Sequence, residues 1–483
     1  MSCAKNFHSV SVIHSTLPQF SKQKSSSNLN FNPKLGYNKS SALSYSAITV
    51  DPVVTAPNDK YISSRSINIE PTVKSDMVAL IDQAEEKSAT TGKFGAFGGV
   101  FVPETLVSSL SKLAAEFNLI LHDRDFQGEL QVALRDYVGR ETPLYYAKRL
   151  SDYYKGKGNG QGPEIYLKRE DLNHGGAHKI NNAIAQAMIA QRMGRTSIVA
   201  ATGAGQHGVA TAAACAKLGL ECTVFVGNVD MARQPHNVLL MKHLGAEVKS
   251  VKGMFKDATS EAIRNWVCDL DRGYLLAGAA VGPHPLPSMV REFQAVIGKE
   301  TRRQAMEKWG GKPDAVVACV GSGSNALGIF HEFVRDEDVR LIGVEAAGSG
   351  IESGRHSATL AKGDVGVYHG AMSYLLQDDQ GQIIAPHSVG VGLEYPAVSP
   401  ELSFLKDIGR AEFHSVTDEE ALDAYALLCK TEGIFPALEA AHAVAYLEKL
   451  CPTLAVDGAK VVVNCSGRGD KDAGAVMEYL MKK

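Results

Sequence analysis

From about residue 164 the chain alternates short apolar runs with longer amphipathic stretches, and this alternation restricts the possible fold more than any other feature. EIYLKRED, SIVAAT, ECTVFVG, AVVACV and LIGVEA have the length and composition of buried strands. Between them lie KINNAIAQAMIAQRMG, GVATAAACAKLG, PHNVLLMKHLG and NALGIFHEFVRD, in which apolar residues recur three and four apart, as on the inner face of a helix. Strand and helix in alternation give parallel sheets covered by helices. Roughly 420 such residues exceed one comfortable core, so the sequence predicts an α/β fold of two parallel-sheet layers with a site in the cleft between them. With no internal repeat and no long linker, the two layers are expected to interleave along the chain.

Composition excludes several classes of function. The net charge is -3, and the 50 Lys and Arg are scattered among 53 Asp and Glu, so no basic footprint for nucleic acid exists. No apolar run reaches the roughly 18 residues of a membrane span. The eight cysteines are widely spaced, without the close pairs of a zinc site or a disulfide framework, which points to a reducing compartment and no structural metal. The first fifty residues differ from the rest, with twelve Ser, five Lys, no Arg and no acidic residue. Such a leader is expected to be a transit peptide, over residues 1–60, with a plastid (chloroplast stroma) as the address.

Four segments carry chemistry. In VGSGSNALGIF a strand runs into Gly321, Ser322, Gly323, Ser324 and Asn325 just before a helix begins, so backbone N–H groups and hydroxyls converge where a phosphate could sit. The segment has neither the GK[ST] of a nucleotide loop nor a GxGxxG fingerprint. In LKREDLNHGGAHKINNA, Asn173, His174, two glycines and His178 are expected to crowd around Lys179 at a helix start; a lysine so desolvated has a lowered pKa and can form a Schiff base. In ATGAGQHGVATAAA, glycines 203, 205 and 208 offer N–H groups to a carboxylate. In NCSGRGDKD a strand ends beside Ser466, which could hydrogen-bond a cofactor ring.

These segments, with GPHP, VREFQ, LIGVEAAG, GRAEF and IFPALEAAHA in the same order, resemble the β chain of tryptophan synthase, a fold-type-II pyridoxal-phosphate enzyme. The similarity runs from about Phe94 to the C-terminus. The resemblance implies a cofactor joined to Lys179, with its phosphate held by His178, Gly321, Ser322, Gly323, Ser324 and Asn325, its ring nitrogen by Ser466, and Glu439 beside the ring. It implies that Thr202, Gly203, Ala204, Gly205, Gln206 and His207 grip an amino-acid carboxylate. A serine at the ring nitrogen leaves the ring a weaker electron sink than an aspartate would, which favours loss of the β substituent over transamination. The implied reaction joins serine to indole to give tryptophan and water. Also implied are a homodimer, a monovalent cation, an α-chain partner touching near Lys256, and two domains, residues 94–144 with 178–293 (including a communication subdomain) and 145–177 with 294–483.

The departures fall where chemistry is done. Ala201 stands where the family carries a glutamate that helps the β substituent leave and takes the proton of indole, and losing a general acid-base costs about 10²- to 10⁴-fold in rate. Glu394 replaces an aspartate that pairs with the arginine matched by Arg233, and its extra methylene is expected to upset that contact; both residues are candidates for the catalytic set. Ala232 and Ser322 differ from the usual Glu and Gly, and SVKGMFKDA is about three residues short. Three readings follow. The chain is a tryptophan synthase β chain in which Glu394 or a water replaces the base; or it is a repurposed β-elimination or β-substitution enzyme with another substrate or nucleophile; or it is an inactive relative that regulates an α chain.

Overall fold

Why one strand can serve two cores is plain at the centre of the larger sheet. Every residue of the strand Ala315–Val320 is buried. Val316, Ala318 and Val320 pack into one apolar cluster with the helix Ser324–Phe330, while Ala315, Val317 and Cys319 pack into a second with Val444 and Leu447. Alternate residues point to opposite faces, so a run with no polar member needs cover on both sides.

The protein is seen in a computed structural model that describes residues 75–454 and 457–481. The leader expected over residues 1–60 lies outside the described residues. The expected α/β architecture is present. A six-stranded sheet has the order Glu412–Thr417, Arg340–Gly348, Ala315–Val320, Lys460–Cys465, Glu164–Arg169, Leu144–Tyr146, parallel except for the last strand. A second, fully parallel sheet runs Glu247–Val251, Glu221–Gly227, Ser197–Thr202, Gly273–Leu275. The smaller sheet thus lies in sequence between the first two strands of the larger one and the rest. A third sheet was not expected: Lys93–Phe94, Phe97–Gly98, Ala371–Leu375 and Asp364–Tyr368 pair antiparallel.

The expected strands all form, as do helices Lys179–Arg192, Gln206–Leu218 and Pro235–His243. NALGIFHEFVRD does not stay helical to its end: the α-helix stops at Phe330 and is followed by one 3-10 turn, His331–Phe333.

A buried charge cluster holds the larger sheet to the helix that begins at Lys179. Arg140 donates to Glu170 at 2.8 Å, to Glu300 at 2.7 Å and to Asn181 at 2.8 Å, while the fully buried Lys168 donates to Glu300 at 2.6 Å. Two cations facing two carboxylates leave no charge uncompensated in a medium where an unpaired one is costly. Asn181 also donates to Glu170 at 3.0 Å, which fixes the first turn of the helix two residues beyond Lys179.

Candidate active site

The segments singled out by their chemistry follow the C-terminal ends of parallel strands, which is where open α/β sheets bind ligands. Thr202 ends its strand, Gly321 follows Val320, and Ser466 follows Cys465. His178, Lys179, Thr202, Gly203, Ala204, Gln206 and His207 line one pocket together with Gly321, Ser322, Gly323, Ser324, Asn325, Glu439 and Ser466.

At its centre Lys179 Nζ donates to the Gly278 carbonyl at 2.9 Å and to Ser324 Oγ at 3.3 Å. Burial pushes its ammonium down to about 8, against the opposing pull of Cys319 and Glu439. The amine is thereby available as a nucleophile near neutral pH. His178 and His207 are both neutral: burial first, and the Lys179 charge second, push each down to about 3. The Nδ1 atoms of both rings are buried without a hydrogen-bond partner. His207 Nε2 meets the Leu276 carbonyl at 3.1 Å.

The Gly321–Asn325 turn is shaped for close approach. Gly323 has φ +96°, and a β-carbon there would lie 2.3 Å from Leu402 Cδ1. A β-carbon on Gly321 would come within 2.9 Å of Leu393 Cα. No side chain caps the helix that starts at Ser324, so its first N–H groups face the pocket unclaimed by a cap. Asn325 donates to the Cys319 carbonyl at 2.9 Å and so braces the turn.

On the far wall Glu439 accepts from Gly392 N–H at 2.8 Å and from Lys471 Nζ at 3.0 Å. Burial alone would raise Glu439, but the Lys471 ammonium holds it well below the usual carboxylate range. Lys471 also meets Asp472 at 2.8 Å. The Ser466 hydroxyl has one weak neighbour, Cys319 Sγ at 3.7 Å, and keeps its hydrogen-bonding capacity for a ligand.

Several expected roles are different in the structure. Asn173 and His174 do not crowd Lys179: Asn173 donates to Glu170 at 2.7 Å within the charge cluster, and the ring of the exposed His174 packs tilted against Tyr137, with centroids 4.6 Å apart. Gly208 lies in the first turn of its helix, where a β-carbon would meet Met241 Sδ at 2.3 Å, so its lack of a side chain also serves helix packing. The extra methylene of Glu394 does not upset its contact: Arg233 Nη1 donates to Glu394 Oε2 at 2.5 Å, and Ser388 N–H reaches Oε1 at 3.0 Å. With both oxygens claimed, and with neither Glu394 nor Arg233 among the residues lining the lysine pocket, this pair braces the loop and is not placed to move a substrate proton.

Ala201 faces elsewhere. It lines a second cavity of about 330 Å³, walled chiefly by apolar side chains such as Leu106, Ile263, Trp266 and Val281. Phe255 lines both cavities, and a β-carbon on Gly203 would lie 3.0 Å from Phe255 Cβ, so this ring stands at their junction. Sequence reasoning missed Phe255, Cys319 and Lys471. The last of these was within reach, since it belongs to the NCSGRGDKD turn that yielded Ser466. Lys256, at the start of the helix Phe255–Cys268, pairs with Asp257 at 2.9 Å.

Two comparisons bear on the site. The family described as pyridoxal-phosphate dependent enzymes matches residues 136–467. A crystal structure of a fungal L-serine ammonia-lyase from Rhizomucor miehei has a similar fold, with a TM-score of 0.54 at 19% sequence identity over 71% of this chain and 98% of that one. The residues present fit the family's cofactor: an uncapped helix start beside two glycines that admit no β-carbon suits a phosphate, an orphaned buried imidazole nitrogen on His178 lacks a partner, and a desolvated lysine amine and Ser466 line the same pocket. By its sequence match and by this pocket, the chain belongs to the pyridoxal-phosphate dependent enzyme family and uses pyridoxal 5'-phosphate as its cofactor.

Proposed function

We propose that this chain catalyses a β-replacement of the tryptophan synthase β type, in which the hydroxyl of serine is exchanged for an aromatic nucleophile such as indole. One observation carries this reading: the lysine pocket adjoins, across Phe255, a second cavity that is apolar and large enough for a flat bicyclic molecule. An enzyme that only eliminates water and ammonia from serine has no use for such a space.

When bound, pyridoxal phosphate supplies the electron-withdrawing system that acidifies the α C–H of an amino acid and lets its β substituent depart. The Gly321–Asn325 turn with His178 would hold the phosphate, and Ser466 would serve the ring nitrogen. Lys179 Nζ would hold the cofactor and is the amine placed to move the α proton of the substrate. The Thr202–His207 segment, with Gln206 and His207 at a helix N-terminus, binds the carboxylate. Phe255 and the apolar wall behind it keep bulk water from the β-carbon, so that the competing hydrolytic loss is suppressed.

A second reading is favoured by Ala201. Among the described residues no carboxylate lines the apolar cavity to replace the glutamate expected there, and a substrate whose β substituent departs without protonation, such as an acylated serine, would suit the site better than serine. A homodimer, an α-chain contact near Lys256 and a plastid address, supported by the acid-free serine-rich leader, complete the proposal.

The holoprotein is incubated with serine, with and without indole, and tryptophan, pyruvate and ammonia are measured. Tryptophan formation supports the first reading. Pyruvate released at the same rate whether or not indole is present, with no tryptophan, overturns it. Tryptophan formed at least about tenfold faster from O-acetylserine than from serine assigns the repurposed site.

A further inference from the structure

Among the polar residues that line the apolar cavity, Ser260, His369 and Tyr395 form a hydrogen-bonded chain, while the Arg264 guanidinium is paired with Glu261 at 2.8 Å. Ser260 Oγ donates to the Lys256 carbonyl at 3.1 Å, one turn back in the same helix. A hydroxyl has one proton, so at its other contact, His369 Nε2 at 3.1 Å, Ser260 accepts. With the Ser260 proton assigned to the Lys256 carbonyl, the tautomer that completes this chain carries its proton on Nε2. Burial, and secondly the Lys256 charge, push His369 down to about 4, so at neutral pH the ring has no second proton. Nδ1 is then the acceptor, and the Tyr395 hydroxyl, 2.8 Å away, donates to it. Tyr395 has its one proton committed to His369 and can offer the cavity lone pairs alone. The remaining hydroxyl of the wall, Thr259, is committed as well, donating to the Phe255 carbonyl at 2.9 Å.

The location of Tyr395 gives this polarity a use. Its ring packs 5.2 Å from that of Phe255, the residue common to both cavities, and its neighbour in sequence is Glu394, locked to Arg233. Tyr395 thus lines the second cavity next to the ring that separates it from the lysine pocket.

We propose that Tyr395, oriented by His369 and Ser260, is a specificity-determining residue that accepts a hydrogen bond from an N–H or O–H on a flat, otherwise apolar second substrate. The cavity thereby selects molecules bearing such a donor over isosteres that lack it. This rests on the reading of the cavity as the second-substrate site. His369 and Ser260 are positioning residues, acting through Tyr395.

The test is equilibrium binding to the holoprotein, by calorimetric titration, of indole and of benzofuran, its isostere with an oxygen acceptor in place of the N–H. Indole is expected to bind about tenfold more tightly, the size of one hydrogen bond together with the repulsion of two facing acceptors. Tyr395→Phe should bring the two ligands to within about twofold while benzofuran affinity is kept, which shows the cavity intact. His369→Phe should do likewise, because the freed Tyr395 proton can then serve either ligand. Discrimination that persists in Tyr395→Phe overturns the inference and leaves the proposed function standing. If the wild-type protein binds neither ligand, the reading of the cavity as a second-substrate site fails, and this inference with it.

Discussion

Lys179 and His207 meet on opposite sides of Gly278: the lysine amine donates to the Gly278 carbonyl at 2.9 Å, and a β-carbon on this glycine would lie 2.3 Å from His207 Cγ. The amine proposed to bear the cofactor and the segment proposed to bind the carboxylate thus share one neighbour, so a change at Gly278 is transmitted to both.

Gly278→Ala should therefore displace the His207 ring, which is also tied to the Leu276 carbonyl at 3.1 Å. Overpacking at a buried site costs about 1–3 kcal/mol, enough to lower the melting temperature without preventing folding. The expected kinetic result is a KM for the amino acid raised at least about tenfold, with visible cofactor absorbance retained. An unchanged KM would show that the His207 segment does not bind the carboxylate.

The lysine itself predicts a pH dependence. Its ammonium, lowered to about 8 from an ordinary value of 10.5, leaves about a tenth of the molecules as free amine at pH 7. Because only the unprotonated amine attacks an aldehyde, the rate at which apoprotein takes up pyridoxal phosphate should rise with pH up to about 8 and then level off. Stopped-flow absorbance reads this directly. A rate still climbing at pH 10 would mean the amine is solvated and ordinary. Lys179→Arg should abolish the covalent chromophore at every pH.

How much of this could be read from residues alone follows from how local each signal is. The strand Ser197–Thr202 and the helix Lys179–Arg192 are written in a periodicity that spans one element, and Gly321 and Gly323 mark a turn that only glycine can make beside Leu393 and Leu402. The small sheet holding Lys93–Phe94 and Phe97–Gly98 left no trace, because two-residue strands have no period and their hairpin joins the rest of the sheet only through a pairing some 270 positions away, Met372 with Gly98. The same limit hid the Tyr395–His369–Ser260 wall, whose members come from three distant segments. Glu394 shows the converse: its identity was legible, but whether an added methylene breaks or keeps the bond to Arg233 depends on Ser388, which fixes the other oxygen.

The buried charge cluster gives a stability prediction. Glu300 accepts from both Arg140 and Lys168, so Glu300→Ala leaves two buried cations facing Glu170 alone. Removing one member of a buried set typically costs about 3–5 kcal/mol. Urea denaturation should show a loss of that order. A loss under about 1 kcal/mol would mean that water reaches the cluster and screens it.

Ala201→Glu tests how the site has changed. Ala201 packs beside Val199, Ala258 and Ala262 on one side and lines the apolar cavity on the other, so the new side chain has room to extend where the second substrate is expected to bind. A carboxylate entering such a wall is desolvated, which raises its pKa towards the range of a general acid-base and makes it able both to protonate a departing hydroxyl and to accept a proton from the nucleophile. Serine turnover with indole should rise at least about tenfold, while turnover of O-acetylserine, whose leaving group needs no proton, should change by less than about threefold. Equal gains with both substrates would show that the carboxylate acts on the nucleophile and not on the departing group. No gain with either would place the base elsewhere in the pocket.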